Sequence, residues 1–147
     1  YVTRDIAKGI AFMESRFGVH DLAPIDLELD VVTPQGPAKL AMRLAVAWVG
    51  RLNVELIQPL SGCVDHYTHS LPADTEDFSP RFNHIAMRRD DLGSMRSEIE
   101  SLNLPILFEG SFDGLCYIYV DARSELGHLL EYVWATPQVW DFLGWPA

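Results

Sequence analysis

Basic residues are scarce in this chain, and their scarcity limits its partners. Eleven Lys and Arg stand against 21 Asp and Glu, which gives a formal net charge of −10 over 147 residues. Binding to nucleic acid or to an anionic membrane surface depends on a basic face. We therefore expect neither nucleic acid nor a membrane among the partners of this protein.

Cysteines and long apolar runs are also few. Cys63 and Cys116 lie far apart, without the spacing of a zinc site or a redox motif, which favours a reducing, cytoplasmic compartment. The densest apolar stretch, residues 44–49, is far shorter than the roughly 20 residues of a membrane helix. We expect no signal peptide, and no nucleotide-binding or serine-hydrolase motif occurs.

One pattern occurs twice along the chain. Asp5 precedes apolar residues at positions 6, 10, 13 and 17, and Asp90 and Asp91 precede apolar residues at 92, 95, 99 and 102. Spacings of three and four place such residues on one face of a helix, and Asp is a favoured N-cap. Gly18 and Asn103 follow the two stripes as stop signals. The pattern predicts two amphipathic helices.

Each predicted helix lies between one short strand and three further strands. The strand-like runs are residues 1–3, 27–32, 39–49 and 52–58 around the first helix, and residues 84–87, 105–108, 115–120 and 128–133 around the second. Turn residues separate them, as in Pro34 to Pro37 and in Asp113-Gly114. The chain therefore predicts an α+β fold built from two βαβββ units.

A chain of this length is expected to form one domain. We predict a single domain of residues 1–147, with the first unit at 1–60, a polar link at 61–81 and the second unit at 82–133. Residues 134–147 form a C-terminal tail with three of the four Trp. So much aromatic surface is costly to expose, so we expect the tail to pack on the domain or on a partner subunit.

Three polar residues interrupt apolar strand runs: Glu55, His84 and Glu131. A buried carboxylate is costly unless it is paired or binds a metal, although each of the three could instead point to solvent. Glu55 and Glu131 occupy the last strand of their units, and His84 occupies the first strand of the second. If the units pack with pseudo-twofold symmetry, the three side chains converge. Such oxygen and nitrogen donors suit Mn, Fe, Co, Ni, Zn or Mg.

A fourth ligand is expected upstream. Aligning Asp5 with Asp90 shifts the register by 85 residues, which places the repeat mate of His84 just before Tyr1. The residue at that position therefore lies outside this sequence.

Three segments carry a resemblance to a known superfamily. They are Val-Glu-Leu-Ile-Gln-Pro at 54–59, Phe-Asn-His-Ile-Ala-Met at 82–87 and Leu-Gly-His-Leu-Leu-Glu-Tyr at 126–132. With the paired βαβββ units, they resemble the vicinal oxygen chelate superfamily, which includes glyoxalase I, methylmalonyl-CoA epimerase, bleomycin resistance proteins and extradiol dioxygenases. The resemblance implies a cup-shaped mixed sheet with helices on its convex side and a metal on its concave face.

The resemblance also implies a ligand set and a reaction. Glu55, His84 and Glu131 match three metal-ligand positions, and Glu131 matches a catalytic base with Glu55 as its symmetric partner. The implied protein is a homodimeric, divalent-metal-dependent isomerase, epimerase or lyase. It would act on a small carbonyl compound or an acyl thioester through an enolate. One alternative is a non-catalytic binding protein of the bleomycin-resistance type. Another is an iron extradiol dioxygenase, which needs two His and one carboxylate.

Other histidines are weaker candidates. His128 precedes Glu131 by three residues, and an odd offset on a strand points two side chains to opposite faces. His66 and His69 have a spacing of three within the polar link. They are either solvated loop residues, parts of a lid over the site, or ligands of a second metal.

Two cysteines and two tyrosines are the remaining candidates for functional residues. Cys116 alternates within a strand and is expected in the core, whereas Cys63 has no neighbouring base that would make it a nucleophile. Tyr117 and Tyr119 share one strand face. They would either line a substrate cavity or pack against a helix.

Overall fold

The computed structural model describes residues 1–145, and the main elements follow the predicted order. In chain order the elements are α1 (Ile6–Phe17), β1 (Ile25–Thr33), β2 (Gly36–Val49), β3 (Leu52–Gly62), α2 (Asp65–Thr68), β4 (His84–Arg89), α3 (Leu92–Leu102), β5 (Ile106–Phe112), β6 (Leu115–Val120), α4 (Arg123–Leu126), β7 (Leu129–Ala135) and α5 (Pro137–Leu143).

The seven strands form a mixed sheet. Their order is β3-β2-β1-β5-β6-β7-β4, in which β4 and β7 run parallel, while β2 and β3, β1 and β5, β5 and β6, and β6 and β7 pair antiparallel. Helices and a mixed sheet together confirm the predicted α+β class.

Two compact units divide the chain. The first comprises Tyr1–Leu29 and Lys39–Asn83, and the second comprises Asp30–Ala38 and the chain from His84 onward. β1 and β2 contribute residues to both units. The organisation as one domain of residues 1–147 stays a prediction.

Local chemistry sets the ends of α1 in the first unit. The Asp5 carboxylate accepts a hydrogen bond from the Lys8 backbone N–H at 3.1 Å, and Gly18 ends the helix at a φ of 64°. The buried face of α1, including Ile6 and Met13, packs with residues of β2 and β3. These contacts confirm the predicted first helix.

The second unit repeats the arrangement around α3. Asp91 accepts a hydrogen bond from the Ser94 backbone N–H at 2.7 Å, and Asn103 ends the helix in the left-handed region. Met95 and Ile99 pack with alternate residues of β6 and β7 in one buried cluster. One sheet face of this unit is therefore covered by α3.

The predicted first strand is only a pair of backbone bridges. Val2 pairs with Ile57 in parallel and with Arg81 in antiparallel fashion. The strands that follow are longer than predicted. β2 starts directly after the Pro34-Gln35 turn, and β3 continues to Gly62. The short helices α2 and α4 were not predicted.

The polar link is held against the start of the chain within the first unit. Thr3 Oγ1 donates to the Phe78 carbonyl at 2.9 Å, and an Arg4 guanidinium nitrogen donates to the Pro72 carbonyl at 2.6 Å. Lys8 Nζ lies 3.5 Å from the centre of the Phe78 ring. These contacts fix the link along α1 and the residues before it.

The described part of the tail packs on its own chain. It forms α5, in which Trp140 is buried, and the Trp145 ring lies 5.1 Å from the Trp140 ring. Arg88 on β4 stacks its guanidinium over the Trp140 ring at 4.8 Å. Of the two alternatives for the tail, packing on the domain therefore holds for these residues.

Across residues 1–145, the helices are all too short or too polar to cross a membrane.

Candidate metal centre

His84 and Glu131 lie side by side on parallel strands of the second unit. β4 begins at His84, and its pairing with β7 places Ala86 opposite Glu131. Because His84 stands two residues before Ala86, it shares a sheet face with Glu131. His84 Nε2 is 3.5 Å from Glu131 Oε2, and the side chains are only 4% and 14% exposed. The alternative that these two side chains point to solvent is wrong.

Packing of the neighbouring residues explains this orientation. Leu130 and Tyr132, on either side of Glu131, pack in the cluster around α3. Since alternate residues of a strand point to opposite faces, Glu131 must face away from α3. The apolar neighbours in the sequence thus direct the carboxylate to the face opposite α3.

Tyr119 also lies beside His84, and lining the site was one of the two roles expected for it. It stands directly opposite Glu131 in the pairing of β6 with β7. Its hydroxyl lies 3.3 Å from His84 Nε2, and its ring meets the imidazole edge to face at 5.1 Å. The alternation of Tyr117 and Tyr119 was the available signal. Of the two alternatives for these tyrosines, packing against α3 is wrong, because they lie on the opposite face of β6.

An aromatic layer supports Tyr119. The ring of Phe108 on β5 stacks on Tyr119 at 4.6 Å with an interplanar angle of 15°. Tyr117 lies over Gly110, where even a Cβ atom would overlap the phenol ring. Phe108, Tyr117 and Tyr119 are all buried. The layer therefore limits the positions open to the Tyr119 hydroxyl.

Glu55 occupies the middle of β3 in the first unit. Its neighbours Val54 and Leu56 pack in the cluster with α1, and the Gln58 side chain accepts a hydrogen bond from the Ile6 backbone N–H at 3.0 Å. Alternation therefore points Glu55 to the face of β3 away from α1.

Glu55, His84 and Glu131 form a candidate metal-binding triad. Each offers one ligand atom, and these atoms all lie within 4.8 Å of one another. Donors of one ion at about 2.0–2.2 Å stand at most roughly 4.4 Å apart.

The donor set fits a divalent cation. Two carboxylates and one imidazole are ligands that Zn, Mn, Fe, Co and Ni accept, and thiolates, which softer ions prefer, take no part in the triad. The residues present therefore fit the metal that the sequence analysis expected.

The other histidines lie elsewhere. The ring nitrogen Nδ1 of His128 lies 2.8 Å from the Leu129 carbonyl oxygen, just before β7 begins. His66 lies in α2 and is buried, so the description of a solvated loop residue is wrong for it. Asn83 Nδ2 donates to the His66 carbonyl at 3.1 Å, which ties α2 to the residue before His84.

Both cysteines are free thiols. Cys116 is buried on the α3 side of β6, where its Sγ is 3.6 Å from the Glu109 carboxylate. Burial is the main cause that raises the pKa of Cys116 to about 11, and the negative charge of Glu109 is the second cause. Burial also raises the pKa of Cys63. A thiol with a raised pKa is a poor nucleophile, in accord with the expected core role of Cys116.

No family model matches this chain, and no curated protein does. Several solved structures match this chain. A hypothetical protein from Bacillus halodurans C-125 is 17% identical with a TM-score of 0.61, over 93% of this chain and 91% of that one. The methylmalonyl-CoA epimerase from Mycobacterium tuberculosis is 16% identical with a TM-score of 0.58, over 94% of this chain and 85% of that one.

A third similar structure contains a ligand. A variant of the Streptomyces coelicolor methylmalonyl-CoA epimerase, in complex with 2-nitronate-propionyl-CoA, is 14% identical with a TM-score of 0.52, over 92% of each chain. At these identities the comparisons show the fold. The fold of this chain is similar to that of these methylmalonyl-CoA epimerases.

Proposed function

We propose that this protein is a divalent-metal-dependent epimerase or isomerase that moves a proton at the carbon beside a carbonyl group. The observation that carries the proposal is the Glu55, His84 and Glu131 triad in a chain with the epimerase fold. The substrate class we propose is an acyl thioester. A lyase reaction on a small carbonyl compound uses the same proton transfer. The homodimer and the cytoplasmic location stay predictions.

Each residue of the triad has a role in the proposed reaction. Glu55, His84 and Glu131 would hold the cation, which when bound stabilises negative charge on the carbonyl oxygen. A carboxylate oxygen of Glu131 takes the proton from the α-carbon, and the bonding electron pair stays on the substrate as an enolate. A second carboxylic acid delivers a proton to the opposite face of the carbon, which Glu131 does not reach, and this inverts the configuration. Glu55 is the partner carboxylate in this assignment.

Burial supports the role of Glu131. Its side chain is 14% exposed and lies beside the buried His84, so few water molecules can reach it. A carboxylate that has lost part of its hydration is a more reactive base, and the remaining exposure lets the proton that it takes up exchange with solvent.

Proton exchange tests the proposal. The protein is loaded in turn with Mn, Co, Ni or Zn and incubated in D₂O with methylmalonyl-CoA, and deuterium at the α-carbon is followed by mass spectrometry. Glu131→Gln retains the size and one oxygen but removes the base, so exchange should fall by about 100-fold or more. The matched control is Glu125→Gln, an exposed position on α4, which should exchange like the unaltered protein.

Three results would redirect the proposal. Undiminished exchange in Glu131→Gln would transfer the role of base to Glu55. Exchange only with 2-oxoaldehyde adducts would replace the thioester with a small carbonyl compound. Lack of exchange with any metal, together with tight binding of an apolar ligand, would favour the binding-protein alternative.

A further inference from the structure

Tyr119 places a hydrogen-bond donor at the ligand nitrogen of His84. Its hydroxyl is 3.3 Å from His84 Nε2, the same nitrogen that lies 3.5 Å from Glu131. Tyr119 and Glu131 are also direct cross-strand partners. The phenol, the imidazole and the carboxylate therefore meet at one point on the face of the second unit away from α3.

The position of the hydroxyl is fixed by packing. Phe108 stacks on one side of the Tyr119 ring, and the His84 and Tyr117 rings meet it edge to face. The side chain is 2% exposed. A donor held in this way needs little reorganisation when charge develops near it.

Ligand chemistry determines what this hydroxyl can do. A neutral imidazole with its proton on Nδ1 has one lone pair on Nε2. When that lone pair binds a cation, Nε2 can no longer accept a hydrogen bond from Tyr119. The hydroxyl proton then becomes available to another oxygen acceptor beside the two ligands. In the proposed reaction, the oxygen that gains charge there is the substrate carbonyl oxygen.

We infer that Tyr119 is a catalytic residue that donates a hydrogen bond to the carbonyl oxygen of the substrate as the enolate forms. The inference rests on the proposed function and deepens it. It adds a neutral donor to the three ligands, and it requires a substrate whose oxygen becomes more negative during the reaction. The phenol keeps its proton throughout, so proton transfer at the α-carbon stays with the two carboxylates.

The test compares Tyr119→Phe with the control Tyr132→Phe. Both substitutions remove one hydroxyl from adjacent strands of the same unit, but the Tyr132 hydroxyl donates to Glu98 on the α3 side of the sheet. Phenylalanine retains the ring that stacks on Phe108. Three quantities are measured on the Co²⁺-loaded proteins: affinity for Co²⁺, deuterium exchange into methylmalonyl-CoA, and affinity for 2-nitronate-propionyl-CoA, whose nitronate carries the charge of an enolate.

In Tyr119→Phe we expect exchange to fall by about 100-fold, the usual effect of removing one donor to a developing oxyanion. The nitronate compound should bind at least about tenfold more weakly, because its charge needs the same donor, while Co²⁺ binds as before. Tyr132→Phe should leave all three quantities within about threefold of those of the unaltered protein.

Four outcomes overturn the inference. A loss of Co²⁺ affinity that matches the loss of exchange would make Tyr119 a positioning residue for His84. A shifted pH profile of exchange with unchanged nitronate affinity would mean that the hydroxyl acts on Glu131. Unchanged exchange and nitronate affinity in Tyr119→Phe would leave the ring with a packing role only. If the unaltered protein neither exchanges deuterium nor binds the nitronate, the proposed function itself is contradicted and the role of Tyr119 falls with it.

Discussion

At the scale of single residues, His84 Nε2 is the atom on which the candidate metal centre depends most. It has the Glu131 carboxylate and the Tyr119 hydroxyl as neighbours, and the imidazole is buried. A buried imidazole that shares its surroundings with a carboxylate is a strong nitrogen ligand. Removal of His84 should therefore affect metal binding before anything else.

His84→Ala should weaken Co²⁺ binding by about 100-fold or more, because one direct ligand is lost while the two carboxylates remain. His128→Ala is the matched control, since His128 lies next to β7 with its ring nitrogen at its neighbour's carbonyl. Isothermal titration calorimetry of both variants measures the effect. Equal Co²⁺ affinity in the two variants would contradict the triad.

Polarity in an apolar run selected Glu55, His84 and Glu131 as candidates, because a charge in a strand interior is costly and conspicuous. The structure places their donor atoms within 4.8 Å of one another, and their roles as ligands and base stay predictions. The same criterion could not identify Tyr119. Tyrosine is common in buried strands, and its role follows from the pairing of β6 with β7, which depends on the register of the two strands.

The two thiols should differ in reactivity. Cys116 is 5% exposed and its pKa is raised to about 11, whereas Cys63 is only half-buried, although burial raises its pKa as well. Since the thiolate is the reactive form, iodoacetamide at about pH 8 should label Cys63 first and Cys116 only after unfolding. Peptide mass spectrometry follows both sites. Prompt labelling of Cys116 in the folded protein would show that its burial is transient.

At the scale of elements, the helix ends were predictable and the first strand was not. Asp5, Gly18, Asp91 and Asn103 act through hydrogen bonds and dihedral angles within a few residues, so their signals are local. Val2, in contrast, pairs with partners far away in the sequence. The number of residues that pair there depends on the link, whose path no local pattern specifies.

Gly110 is a position on β5 where size matters more than backbone freedom. A Cβ there would overlap the Tyr117 ring, so Gly110→Ala should destabilise the protein by about 1–3 kcal/mol through overpacking. Gly93→Ala is the control, because its Cβ would find only the Asp91 carboxylate at 3.5 Å. That change should be neutral or stabilise by up to about 1 kcal/mol.

Urea unfolding of both glycine variants measures the difference. If Gly110→Ala were as stable as the unaltered protein, Tyr117 could not lie over β5 as described. If Gly93→Ala were equally destabilised, the effect would not be specific to the aromatic layer.

At the scale of the whole molecule, the repeated pattern predicted the mixed sheet because each repeat carries its own helix stripe and strands. The order of the strands in the sheet was not predicted. β1 pairs with β5 through Val31 opposite Gly110, and such a pairing over nearly 80 positions follows from long-range packing. The sequence thus specified the parts of the sheet more directly than their order.

Acid stability is a whole-molecule property that two ion pairs should influence. Hydrogen bonds from Arg96 lower the pKa of Glu109, and hydrogen bonds from Arg89, then from Tyr132, lower the pKa of Glu98. A lowered pKa in the folded state means that the unfolded state binds protons first as the pH falls. Their stabilisation is therefore complete above the ordinary carboxyl range of about pH 4–5, and it is lost progressively below it.

Glu109→Gln should accordingly lower the thermal midpoint at pH 7 and flatten its decline towards about pH 3. The Glu109 side chain is 31% exposed, so the pair contributes about 1 kcal/mol or less, or roughly 2–4 °C at this chain length. The net charge of −10 also changes over this range, and its repulsion declines as carboxylates protonate. Glu125→Gln, at an exposed position on α4, removes the same charge and controls for that effect. Parallel pH profiles of the midpoint in the two variants would show that the Arg96 pair adds nothing to the acid stability of the fold.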